Sequence, residues 1–488
     1  MGYFLADPAD KGSVLVVALV VGTLCIPVLM HWHYLLLILG FNTLVSFAFL
    51  PGSPDLWVLL AFLSLGFAVV NRATNADFRF ITVPSLNKPL FFLLAAVVIT
   101  AWATGGFGMR VFGSAHYGAK NYLYLVAAIA AYFAITSQRI PSHRAGLFVG
   151  LYFLTGLSAL IPNFIAKAGS SLSVLYYFFP LPGAEDDFGS IGSIPGMGRY
   201  FGLTYAAMAL GAFVMARYGL RGLFDFTRPH RMFMFLAAVG ACAFCGYRSN
   251  LILFLFTVAA LYCFEGLWRG RSLLWTLLAV VGFGALLALS IDKLPLVVQR
   301  TVSFLPLRVN PVAQVDAENS SQWRIEMWKE VLPEVPKHLL FGKGCGMDAT
   351  DMAFADENAH RGYARDYQWA ILTQSYHNGP LTILVPFGIW GAIGFVWFLV
   401  AAFKYLIRNY LHGDPALTKI NTFLLALFTA RVLIYFLVFG AFHLELVYFT
   451  SLAGLSVSLN GTEPYREAEL EPEPEAAYNE ELAANELP

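Results

Sequence analysis

The chain is a succession of apolar runs, each near the length needed to cross a bilayer, joined by mostly short polar links. The runs occupy 13–31, 33–50, 55–71, 88–104, 120–137, 145–163, 199–218, 231–247, 249–268, 272–291, 379–403, 417–438 and 440–459. A helix needs about 20 apolar residues to span the hydrocarbon. The expected fold class is therefore all-α, a polytopic integral membrane protein of about 12 transmembrane helices. Charged residues make up only 13% of the chain, against about 25% in a soluble domain. The formal net charge is zero, so no basic field points to nucleic acid. The first run lacks a basic leader and a small-residue cleavage site, and is read as a retained helix. The first three runs are crowded by the links at 31–33 and 51–54, so one of them is expected to be re-entrant or half-spanning.

Lys and Arg set the orientation. The links at 71–88, 138–144, 217–231, 268–272 and 404–419 carry Arg72, Arg79, Lys88, Arg139, Arg144, Arg217, Arg221, Arg228, Arg231, Arg269, Arg271, Lys404, Arg408 and Lys419. The alternate links, 105–120 and 164–198, hold only Arg110, Lys120 and Lys167. The first set is read as cytoplasmic. The second set, and the long segment from Asp292 to His377, then face outward. Four parts follow: N-terminal transmembrane helices over 1–291, a large periplasmic loop over 292–378, C-terminal transmembrane helices over 379–459, and an acidic cytoplasmic tail over 460–488, which is expected to be disordered. Within the loop, Trp323 to Val331 (WRIEMWKEV) reads as an amphipathic helix that Pro333 and Pro336 interrupt.

Topology brings four residues to the outer level. Arg199 opens the helix in GRYFGLT, Arg248 lies between two apolar runs in CGYRSN, Arg324 is on the amphipathic helix, and His377 stands where the loop re-enters in QSYHNGPL. Ionised side chains near hydrocarbon are costly unless they line a cavity or meet an opposite charge. Several arginines at one level call for an anion between them, and a lipid-linked diphosphate suits the planar guanidinium fork. The same charges would stabilise diphosphate as a leaving group. The bland account of Arg199 is a snorkelling anchor. His377 has the proton affinity to take a proton from a sugar hydroxyl. Asn378 beside it is a candidate to orient a neighbour, and Gly379 permits close approach.

Supporting candidates are less specific. Lys343 lies in the glycine turn FGKGCGM, which lacks the strand–helix context of a phosphate-binding loop and reads either as a flexible turn over the site or as a direct phosphate contact. Arg431 falls within a late span, with Glu445 near the outer end of the next. An internal ion pair and a contact to the carrier lipid both fit. Cys242 and Cys245 form an isolated CxxC inside an apolar run, read as packing residues rather than a metal or redox pair. No metal site and no cofactor are expected.

From Ser321 to Trp390 the motifs SQWRIEMW, FGKGCGM, YHNGPL and FGIWG follow in an order that resembles the O-antigen ligase and polymerase superfamily, and GRYFGLT and YRSN match its two earlier arginine motifs. The resemblance extends from Arg199 to Phe403. It implies transfer of a glycan from an undecaprenyl-diphosphate carrier to an acceptor hydroxyl, with inversion and without metal. Arg199, Arg248 and Arg324 would then hold the diphosphate, and His377 would act as base on the acceptor. The implied partners are the lipid-linked donor, a glycan or lipid A core acceptor, and membrane lipids. A repeat-unit polymerase for capsule or exopolysaccharide, a protein O-oligosaccharyltransferase and a transporter are the alternatives. The segment 348–368 and the acidic tail depart from the family pattern.

Overall fold

The computed structural model describes residues 11–50, 52–108, 116–168, 170–180, 198–225, 227–361 and 367–462. Arg110 and the tail after Thr462 lie outside the described residues. Among the described residues, eight helices are long and apolar enough to cross a membrane, and four more apolar helices run 10–17 residues. The only strands among the described residues are the two-residue β1 (His116–Tyr117) and β2 (Met347–Asp348), paired antiparallel.

In the N-terminal part, α1 spans Lys11–Gly40, α2 Leu56–Thr74, α3 Pro84–Ala103 and α4 Ala119–Ile135. The α5 helix (Ser142–Leu154) continues through a 3-10 turn into α6 (Ile161–Ala168). Then come α7 (Phe201–Leu223), α8 (Pro229–Phe244), α9 (Arg248–Phe264) and α10 (Arg271–Ser290). Proline at the first turn starts α3 and α8, where its fixed φ suits a helix and its missing N–H costs nothing. The runs at 13–31 and 33–50 do not form two helices. The link His31–Trp32–His33 contains no breaker, so α1 passes straight through it. The chain leaves the helix only after Gly40, where Asn42 Nδ2 donates to the Tyr152 carbonyl at 2.7 Å. Residues 41–50 and 52–55 lie in a loop instead of a span.

Between α10 and the C-terminal helices lies a segment of shorter helices: α11 (Leu296–Val302), α12 (Pro311–Val331), α13 (Glu334–His338), α14 (Ala349–His360) and α15 (Gln368–Leu372). The helix expected from Trp323 begins twelve residues earlier, at Pro311. Asn310 explains this, because its side-chain oxygen accepts the Val312 N–H and caps the helix. The chain ends with α16 (Leu381–His412), α17 (Thr418–Leu437) and α18 (Phe442–Asn460).

The core centres on α4, α17 and α18. Small residues bring α18 close to α4, and a Cβ at Gly454 would sit 2.2 Å from Ile135 Cγ2. Aromatic rings fill the rest, as where Phe428 meets Phe449 edge-on at 5.5 Å. By contrast, α10 buries none of its residues.

One break ties this segment to the C-terminal helices. In α16, Gly388 adopts φ 61°, ψ −158°, just after Pro386, and backbone groups are freed inside an apolar environment where they need partners. The glycine turn supplies them. Lys343 N–H donates to the Val385 carbonyl at 2.8 Å, Gly344 N–H to the Pro386 carbonyl at 2.9 Å, and Ile389 N–H to the Leu339 carbonyl at 2.6 Å. Gly342 and Gly344 both have positive φ, and a Cβ on Gly342 would lie 2.2 Å from the Pro386 oxygen. The motifs FGKGCGM and FGIWG are thus two sides of one backbone junction.

Candidate functional site

Arg199, Arg248, Arg324 and His377 line one cavity of about 660 Å³. Arg431 and Glu445 line it too. Lys343 does not: its side chain is exposed, and its backbone is engaged at the α16 break. Asn378 is also absent from the lining. Its Oδ1 accepts the Leu381 N–H at 3.2 Å, so it caps the first turn of α16 rather than orienting a neighbour in the cavity.

The His377 loop is held from two directions. Trp328 Nε1 donates to the Tyr376 carbonyl at 2.7 Å, and Gln374 Nε2 donates to the Gly344 carbonyl at 2.7 Å. Met327 and Val331 share one face of α12 with Trp323 at helical spacing, and pack with Tyr376, Leu381 and Val385. His377 has φ 50° and Gln374 φ 58°. Non-glycine residues in this region cost about 1–3 kcal/mol, a strain that persists where the surroundings over-determine it. Gly379 lets the loop pass against α17, because a Cβ there would fall 2.2 Å from the Tyr435 oxygen. The imidazole stands between Trp323, at 5.3 Å between ring centroids, and Phe439, at 5.0 Å. Its Nδ1 is buried without a hydrogen-bond partner among the described residues.

The arginines are fixed by backbone and by one further charge pair. Arg248 Nη2 donates to the Ala317 carbonyl of α12 at 2.9 Å, with Ser321 Oγ at 3.4 Å. Arg300 of α11, which the sequence reading did not single out, is buried. It pairs with Asp316 of α12 and donates to the Gly246 carbonyl. Gly246, at φ 79°, lies where a Cβ would come 3.3 Å from Arg199 Cα. The Tyr200 N–H closes the contact on the Cys245 carbonyl at 3.0 Å. The 198–200 segment, the 245–247 turn, α11 and α12 are thereby drawn into one knot. Arg300 is hidden in the apolar string LVVQRTV, and its partner lies on another helix, so no local pattern marks the pair.

Like charges and burial leave their mark. Burial, then Arg248, Arg199 and Arg300, draw the Arg324 guanidinium down to about 10. Burial first, then Arg324 and Arg199, hold His377 down at about 4. The imidazole is therefore neutral at pH 7, and the arginines form a cationic group that an anion would relieve.

Cys242 and Cys245 are buried free thiols beside the Asn250 amide, as expected of packing residues. Among the described residues, no group of three or more His, Cys, Asp or Glu is placed to hold a metal ion. The Arg431–Glu445 ion pair forms, Nη1 to Oε2 at 3.1 Å.

Residues 233–396 match a family model described as O-antigen ligase. The match covers about a third of the chain, and over these residues the chain is similar to that family. The matched O-antigen ligase region runs from α8 into α16 and contains Arg248, Arg324 and His377, while Arg199 and Arg431 lie outside it. No curated protein matches the chain. The eight long apolar helices among the described residues are those expected of a multi-pass membrane protein.

Proposed function

We propose that the protein is a glycan ligase of the O-antigen ligase type, with about 12 spans and its cavity open to the periplasm. It would move a glycan from undecaprenyl diphosphate to an acceptor hydroxyl, such as one on a lipid A core, with inversion. Arg199, Arg248 and Arg324 hold the diphosphate, and their guanidinium charge does the work a divalent cation does elsewhere. His377 takes the proton of the acceptor hydroxyl. The acceptor oxygen forms its bond to the anomeric carbon as the carbon–phosphate oxygen bond breaks, and undecaprenyl diphosphate leaves with the electron pair. His377 waits neutral, and a bound diphosphate offsets the Arg324 and Arg199 charges that depress it, so its basicity rises when the donor is present.

The observation that carries this reading is the meeting of three arginines and one unpaired histidine in a single cavity. A repeat-unit polymerase shares the chemistry and differs in the acceptor. The test uses purified protein, a synthetic undecaprenyl-diphosphate oligosaccharide and candidate acceptors, with and without EDTA. Acceptor-dependent release of undecaprenyl diphosphate that survives chelation and disappears in His377→Ala supports the reading, and the productive acceptor distinguishes ligase from polymerase. Tight donor binding with no release for any acceptor would move the assignment to a transporter.

A further inference from the structure

The cavity does not end at His377. It continues along one face of α17, where Arg431, Ile434 and Val438 line it at helical spacing. Seven residues of helix rise about 10 Å, so the cavity reaches roughly that far beyond the level of Val438 and its neighbour Phe439, whose ring touches His377. This inner compartment differs in chemistry from the mouth. The mouth holds four arginines, Arg199, Arg248, Arg300 and Arg324, against Asp316 alone. The inner part sets two carboxyl groups, Asp55 and Glu445, against Arg431. Arg431 lies over the Tyr448 ring at 3.9 Å, and its Nε is buried with no partner among the described residues. Tyr448 and Tyr205 are hydrogen-bonded to each other, and Asp55 is hydrogen-bonded to Tyr124.

Neither part of a bare carrier lipid suits that lining. A diphosphate is drawn to the four arginines of the mouth rather than to a lining of two carboxyl groups and one guanidinium. A polyprenyl chain carries no group for the Arg431 Nε, and burying it unpaired is costly. A sugar ring offers donors and acceptors around its rim at the scale of the compartment. We propose that the inner compartment is a sugar subsite, in which Asp55, Tyr205, Arg431 and Glu445 receive the hydroxyls of a ring whose reacting end lies beside His377. This rests on the glycosyl-transfer reading and specifies where the glycan is recognised. The ring belongs to the donor or to the acceptor, and one experiment distinguishes the two.

Arg431→Ala breaks a buried ion pair and is a poor probe of binding. The isosteric Asp55→Asn and Tyr205→Phe are used instead in full-length protein, with thermal melting to verify folding. Binding is measured for undecaprenyl diphosphate and for its oligosaccharide-bearing form, and acceptor KM is measured alongside. For a donor ring, each variant lowers the affinity gained from the saccharide by about tenfold, the scale of one lost hydrogen bond to a charged group. For an acceptor ring, the acceptor KM rises by a similar factor and donor binding is unchanged. In both cases bare undecaprenyl diphosphate binds as in wild type. Variants that fold yet leave both quantities at wild-type values overturn the subsite, as do variants that weaken the bare lipid equally. Failure of the underlying reading is seen separately, as wild-type protein that neither binds the donor nor releases undecaprenyl diphosphate.

Discussion

The depressed His377 leads to a pH experiment with a worked magnitude. In the free protein the imidazole titrates at about 4, so the acid limb of kcat/KM, which reports the free enzyme, should fall there. Donor binding brings negative charge among Arg324 and Arg199, the two charges that depress the group. One net negative charge at ~8 Å in an effective dielectric of ~20 contributes about 2 kcal/mol, or about 1.5 pK units. The acid limb of kcat, which reports the complex, should therefore lie near 5.5. Arg324→Gln should raise the kcat/KM limb partway toward 6.5, because burial, the larger cause, remains. The assay follows release of undecaprenyl diphosphate from about pH 4 to about pH 8. Coincident limbs in wild type, or a kcat limb below that of kcat/KM, would refute the reasoning. The linkage has a definite sign. Below pH 6.5 the unfolded chain binds a proton that folded His377 refuses until about 4, so this group removes up to about 3 kcal/mol of stability as pH falls through that window.

Further outcomes follow from particular contacts. Arg248→Ala and Arg248→Lys should each lower turnover by about 10- to 100-fold at unchanged protein level, since lysine lacks the fork that spans phosphate oxygens. Normal turnover in both would remove Arg248 from the site. Arg300→Met should lower the melting temperature more than Asp316→Asn does. Arg300 is 4% exposed and loses the Gly246 carbonyl as well, while Asp316 is 35% exposed, and breaking a buried pair costs about 3–5 kcal/mol. Gly342→Ala should melt early or fail to accumulate, measured by fluorescence-detected gel filtration, because it meets a left-handed backbone and the Pro386 oxygen together.

Much of the site could be read from the chain because its residues sit in dense local patterns. Trp323, Arg324, Met327, Trp328 and Val331 declare a helix with one packed face, and His377 follows a loop too polar to be a span. Hydropathy located most of the membrane helices for the same reason. It misjudged the first two runs, where the apolar character persists into a loop and only the Asn42 and Ser158 contacts reveal the turn. Arg300 was missed because its meaning depends on Asp316 and Gly246, which three separate segments bring together. The glycine turn was legible as a turn but not in its role. Its partners are main-chain carbonyls in α16, and backbone hydrogen bonds leave no side-chain signature.

That junction bears on how the protein can be rebuilt. The segment between α10 and α16 invites exchange between relatives as a separate module. It is instead stitched through the main chain into a membrane helix, with residues 339–344 supplying the hydrogen bonds that α16 lacks between Val385 and Ile389. A chimera cut at the membrane surface would pair one protein's turn with another's broken helix. The smallest portable unit runs from α11 through Gly391, so that the loop is transplanted together with the break it repairs.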